Sequence, residues 1–132
     1  MDKKELQKRF KSLAVKTGKL CIKLPFNPPN KVYIDQIIRS STSSAANYRS
    51  ACRAKSKADF VHKLKIVEEE LDETMFFYEM IAEFNSELKK ELRELFIEAN
   101  QLLSIIVASI NTINSNIIKE NGQKIRNLKS KI

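Results

Sequence analysis

The chain has only 2 glycines, 3 prolines and no tryptophan in 132 residues. All three prolines lie between Pro25 and Pro29. So little punctuation disfavours a sheet with many turns and favours long helices in one domain. The two cysteines, Cys21 and Cys52, form neither a disulfide framework nor a metal motif. A reduced, cytoplasmic setting is therefore expected. The N-terminus, MDKKELQKRF, lacks the apolar segment of a signal peptide. The most apolar run, Leu102 to Ile110, is about half the length of a membrane span, so no membrane role is expected.

Catalytic groupings are missing too. His62 is the only histidine. Asp59 precedes it by three residues, but di-iron bundles need two Glu-x-x-His motifs and this chain has none. The acidic cluster of Glu68, Glu69, Glu70, Asp72 and Glu73 goes round a helix instead of converging, which is poor for paired-carboxylate chemistry. No triad-like context and no Gly-rich phosphate loop occurs. The expectation is a protein that is not an enzyme, with no cofactor and no metal.

What is present is helical spacing. Leu6, Phe10, Leu13, Thr17, Leu20 and Leu24 recur at intervals of four and three, predicting one stripe of a first helix near 3–24. The prolines end it, and Asn30 is a candidate cap for a second helix near 31–55. Its inward stripe is Ile34, Ile37, Ser41, Ser44, Tyr48 and Ala51. The seven small residues from Ser40 to Ala46 suit close helix approach. Ser56 followed by Asp59 resembles a capping box for a third helix over 57–84. A fourth, near 87–120, carries Leu88, Leu92, Leu95, Ala99, Leu102, Ile106, Ile110, Ile113 and Ile117 on its stripe. From Leu102 to Ile118 it is apolar on more than one face, so self-association is expected to bury it. Gly122 should end it, leaving 122–132 as a basic C-terminal tail beyond a bundle of residues 1–121. Four helices with short connections give an all-α, up-down-up-down antiparallel four-helix bundle.

The formal net charge of +8 is unevenly spread. Residues 1–65 carry 16 basic and 4 acidic side chains, residues 66–101 carry 3 and 11, and residues 102–132 carry 5 and 1. Excess positive charge speeds encounters with nucleic acid. It can also face the acidic segment within the molecule or simply solvate a surface. The candidate nucleic-acid contacts are Arg49, Arg53, Lys55, Lys57 and Lys63, at one end of the bundle, with a line of helix-one lysines beside them. Tyr48 is the only aromatic near the first group, so binding is expected to be driven by backbone phosphates and sensitive to salt.

The second and third helices have opposite charge and a short turn, so positions whose numbers sum to about 111 should face each other across an antiparallel pair. Gln36, Arg39, Asn47, Glu69 and Glu73 form the candidate polar seam. Arg39 lies beside Ile37 and Ile38, which predicts partial burial and a cost of about 3–5 kcal/mol on its removal. The seam reads either as a register device or as a ligand site.

The segment Gln36-Ile-Ile-Arg39-Ser40, Ser43-Ser-Ala-Ala-Asn47-Tyr-Arg49-Ser-Ala51-Cys-Arg53-Ala-Lys-Ser56, Asp59-Phe60, and Lys63-Leu64 through Ile66-Val67-Glu68-Glu69-Glu70 to Asp72-Glu73-Thr74 resembles the four-helix-bundle family of 23S ribosomal-RNA intervening-sequence proteins. The strong match spans about 40 residues. Where another common form of the family has Asn-Ile-Ala-Glu-Gly, this chain has Asn47-Tyr-Arg-Ser-Ala51, which places it in one branch. The resemblance implies a left-handed bundle assembling as a homopentamer. It implies genes carried in some cases within ribosomal-RNA gene insertions. It also implies kinship to retroelement accessory bundle proteins that associate with a reverse transcriptase and nucleic acid. The partners so implied are the chain itself, RNA or DNA, and a reverse transcriptase or other protein. A protein-interaction scaffold, or a structural oligomer without nucleic-acid binding, is the alternative role.

Overall fold

The computed structural model describes residues 1–131. Helices α1 (Lys3–Ile22), α2 (Pro28–Ala51), α3 (Lys57–Phe84) and α4 (Lys89–Ser130) follow one another, with a single 3₁₀ turn at Ser86–Leu88. Each helix packs on the next in sequence, and α4 returns to α1, which closes an antiparallel up-down-up-down bundle. The apolar stripes meet at its centre. Leu6, Phe10, Leu13, Leu20, Ile37, Leu64, Val67, Leu71, Tyr78, Ile81, Leu92, Leu102 and Ile106 are all buried. Phe10 stacks on Tyr48 with centroids 4.8 Å apart, tying α1 to α2.

Caps account for most helix ends. Asp2 accepts a hydrogen bond from the Glu5 amide (2.8 Å), and Ser56 accepts one from the Asp59 amide (3.0 Å). The start of α2 differs from expectation. Asn27, not Asn30, is the cap, its Oδ1 accepting from the Asn30 amide at 2.9 Å. Pro28 and Pro29 open the helix instead of delaying it, because first-turn residues have no use for an amide donor. The end of α4 also differs. It runs through Gly122 to Ser130, so the expected tail is helical. Gly122 does not adopt the left-handed conformation that would terminate a helix.

Asn30 is thereby free for another task. Its Nδ2 donates to the Pro25 carbonyl (2.9 Å) and to Asn85 Oδ1 (3.0 Å). Asn85 Nδ2 donates in return to Asn30 Oδ1 (2.8 Å) and to the Ile81 carbonyl (2.8 Å). Both side chains are buried, and each amide uses both of its N–H donors and accepts once at its oxygen. This reciprocal pair clasps the α1–α2 loop to the α3–α4 turn. Two further neutral contacts cross the interior. Thr74 Oγ1 lies 2.8 Å from Ser40 Oγ, joining α2 to α3. Thr17 donates to its own helix at the Leu13 carbonyl, which leaves the Tyr78 hydroxyl to donate to Thr17 at 2.6 Å. Among the described residues, no buried side-chain polar atom lacks a partner.

By length and composition α4 could cross a membrane, with a mean hydropathy of 1.4 over its most apolar window. In this fold Leu102, Ile106 and Ile110 of that stretch are core residues.

Replacing Asn85 with Ala strands the buried Asn30 amide, and should lower unfolding stability by about 1–3 kcal/mol. Denaturant titration of this variant, with Asn30→Ala and the double variant, should show strong coupling; additive losses would contradict the clasp. A second expectation concerns alkaline pH. Burial pushes the Cys21 thiol up to about 11 from an ordinary 9.0, and raises the Tyr78 and Tyr48 hydroxyls as well. The folded chain then keeps protons that the unfolded chain releases. Stability is intact below about pH 9 and is lost as pH rises through the folded values. The urea midpoint should therefore hold between neutrality and about pH 8.5 and fall above it; a flat profile through pH 11 would show that these groups are not held neutral.

Candidate nucleic-acid interface

An up-down-up-down chain puts the start of α1, the end of α2, the start of α3 and the end of α4 at one end of the bundle. In this sequence those four termini are all cation-rich. Residues 1–11, 49–65 and 115–131 together hold sixteen basic and four acidic side chains, a net +12. The rest of the chain holds eight basic and twelve acidic ones, a net −4. The bundle is thus polarised along its axis, basic at one end and acidic over the remainder.

The expected contacts at this end form two groups. Arg49 and Arg53 turn toward α1. With Lys4, Lys8 and Lys11 they rim a groove of about 630 Å³ between α1 and α2. Its floor is apolar or small, from Ala14, Val15, Thr42, Ala45 and Ala46. None of the five cations has an ion-pair partner among the described residues. Lys55 is exposed in the α2–α3 turn. Lys57 and Lys63 are not free. Lys57 pairs with Glu120 of α4, and Lys63 pairs with Asp59 one turn earlier at 3.4 Å. The Lys57 ammonium holds the Glu120 carboxyl below its usual range. Beyond that pair α4 continues alone. Its residues 121–130 add about 15 Å and carry Lys124, Arg126 and Lys129, all exposed. Sequence alone does not place these cations beside the α2–α3 turn, since Gly122 reads as a stop.

Tyr48 cannot serve as a stacking platform, being buried against Phe10. His62 is exposed on the outer side of α3.

The polar seam is organised differently from expectation. Arg39 does meet α3, but through Glu70 (3.3 Å) and Glu73, and its side chain is 48 % exposed. The carboxylate of Glu73, bonded to the guanidinium, raises the Arg39 pKa above its ordinary value. Glu69 is exposed and makes no bond to Arg39. Asn47 donates within α2, to the Ser43 carbonyl and hydroxyl, and does not cross to α3. Gln36 makes no side-chain hydrogen bond among the described residues, though it is half-buried. The interior of the seam is instead Ser40 on Thr74, contacts between short hydroxyls that no charge pattern marks. The reason is geometric. Ser40, Ser41 and Ser44 let α2 approach α3 closely, and a guanidinium does not fit between them, so Arg39 leaves along the surface. Arg9 plays the matching part between α1 and α4. It binds Glu98, whose hydrogen bond raises the Arg9 pKa, and reaches Gln101 at 3.1 Å.

The model of the 23S rRNA-intervening sequence proteins matches residues 2–108. The chain belongs to that family. A solved structure of a protein of unknown function from the S23 ribosomal protein family, from Bacteroides thetaiotaomicron, is 26 % identical, with a TM-score of 0.74. The alignment covers 84 % of this chain and 99 % of that one. No curated protein matches the chain. The intervening-sequence match ends at residue 108, before the part of α4 that carries the C-terminal cations.

An exposed ion pair contributes little, so Arg39→Ala should cost about 0–1 kcal/mol, not the 3–5 kcal/mol of a buried one. A melting temperature within about 5 °C of the parent would agree with the surface geometry. A collapse of the fold would mean that Arg39 holds buried carboxylates after all.

Proposed function

We propose that this chain is a non-enzymatic, oligomeric bundle that binds RNA or DNA weakly through backbone phosphates. The carrying observation is the axial segregation of charge, with net +12 gathered at one end and an exposed cationic helix projecting from it. Lys55, Lys124, Arg126 and Lys129 supply the accessible cations, with Arg53 beside them. Among the described residues the ring at this end is the half-buried Phe60, which Lys3 covers, and no exposed aromatic side chain stands beside these cations, so the contact depends on phosphate charge and not on sequence. Each contact releases counterions, and the affinity falls steeply with salt.

A protein-interaction scaffold is the second reading. It is supported by the large apolar side chains that α4 leaves exposed, namely Ile97, Ile118, Ile125 and Leu128. A pulldown partner that survives nuclease treatment would favour it.

Fluorescence anisotropy of labelled single-stranded RNA, duplex RNA and duplex DNA over a salt series tests the first reading. Log affinity should fall linearly with log salt. Replacing Lys124, Arg126 and Lys129 with Gln should flatten the duplex-DNA slope by about 0.9 for each phosphate no longer neutralised. No binding at about 50 mM salt would remove the proposal and leave the net charge to solvation and internal pairing.

A further inference from the structure

The groove between α1 and α2 has two halves of different chemistry. The Phe10–Tyr48 stack sets the level of its walls, so residues whose numbers sum to about 58 lie side by side. Lys4 is then level with Arg53, Lys8 with Arg49, and Val15 with Thr42. Toward the basic end the groove is walled by the two cation pairs, about one helical turn apart, with Lys11 a turn further in. Toward the middle of the bundle its floor is Ala14, Val15, Ala45 and Ala46. All five cations are exposed, and none has an ion-pair partner among the described residues. No carboxylate among the described residues lines this space of about 630 Å³.

Each half constrains what can fill the groove. A phosphodiester chain would neutralise the cations but leave Val15 and the alanines wet, and no aromatic ring lines the groove for a base to stack on. A small anion would engage one cation pair and leave most of an open trough about 17 Å long unfilled. An acidic amphipathic helix satisfies both halves. The walls Lys4–Val15 and Thr42–Arg53 match about three turns of helix. Ala45 and Ala46 carry little side chain, so a third helix axis can approach to about 8–10 Å. Carboxylates one turn apart on that helix would each sit between a lysine of α1 and an arginine whose planar fork matches a carboxylate. Apolar side chains on its next turns would cover Val15 and the alanines.

We propose that the α1–α2 groove is the docking site for an acidic amphipathic helix of a partner protein. Recognition uses two features of one helix face, carboxylates at successive turns and an apolar stretch beside them. The apolar half supplies affinity by burial. The cations speed the encounter and reject basic helices, which would meet like charge. The site is separate from the cations assigned to nucleic acid, since Lys55, Lys124, Arg126 and Lys129 do not line it. Helix docking on the flank and phosphate binding at the end therefore stand or fall independently.

The probe is a fluorescein-labelled helical peptide of about 16 residues, with Glu at two successive turns of one face and Leu at the next two. Fluorescence anisotropy against the full chain at about 50 mM salt should show saturable binding. Companion peptides with Lys for Glu, or Gln for Leu, should each bind more weakly by about tenfold or more. Lys8→Glu with Arg49→Glu should weaken the first peptide by about tenfold or more, and Val15→Gln by about threefold or more. These three positions are exposed, and none makes an ion pair among the described residues, so helical circular dichroism should be retained. Lys124→Gln with Arg126→Gln and Lys129→Gln should bind the peptide as the parent does. Absent binding, equal binding of the Gln peptide, or loss of binding in this last variant would each overturn the proposal. So would groove variants whose sedimentation coefficient differs from that of the parent, because the groove would then belong to another copy of the chain.

Discussion

The Asn30–Asn85 pair sets the frame of this molecule. It is buried and reciprocal, every N–H of both amides is used, and it joins the two connections at its end of the bundle. A buried amide accepts almost no displacement, because losing either bond strands polar atoms in the interior. The helix stripes alone would tolerate sliding, since one leucine can replace another along a groove. The clasp does not tolerate it. Phe10 on Tyr48, Thr17 beneath Tyr78 and Ser40 on Thr74 all depend on the same register.

That register also sorts the charge. With the loops clasped at one end, the four remaining helix termini are gathered at the other, and all of them are cationic. Their mutual repulsion is tolerated because they are solvent-exposed and screened, and because Lys57 has Glu120 while Lys63 has Asp59. The acidic side chains of α3 and α4 occupy the remaining length. Some neutralise Arg9, Lys23 and Arg39 at the surface. Those on the outer side of α3 face solvent within one chain.

Buried polar groups in this protein are neutral and ionic groups are superficial. Arg39 shows why the distinction matters. Its spacing from Glu73 is legible in the sequence, and the two residues do meet, but the cost of separating them depends on exposure, which the spacing does not reveal. The residues that do cross the interior, Ser40, Thr74, Asn30 and Asn85, have no charge to signal their roles. Asn30 reads as a cap because it follows two prolines. The cap is Asn27, since prolines suit the first turn of a helix.

The sequence by itself determined four helices, their antiparallel order, the buried stripes and the family. Each of these follows from local periodicity, from scarce turn residues and from a distinctive run of polar side chains in α2 and α3. Only the tertiary structure decided which charges share a surface. Along the chain the cations lie in three separate segments, and the antiparallel topology brings those segments to one end. It also decided that α4 outlasts the bundle. One glycine weakens a helix by about 1 kcal/mol without ending it, so the last cations are carried outward on a continuous rod.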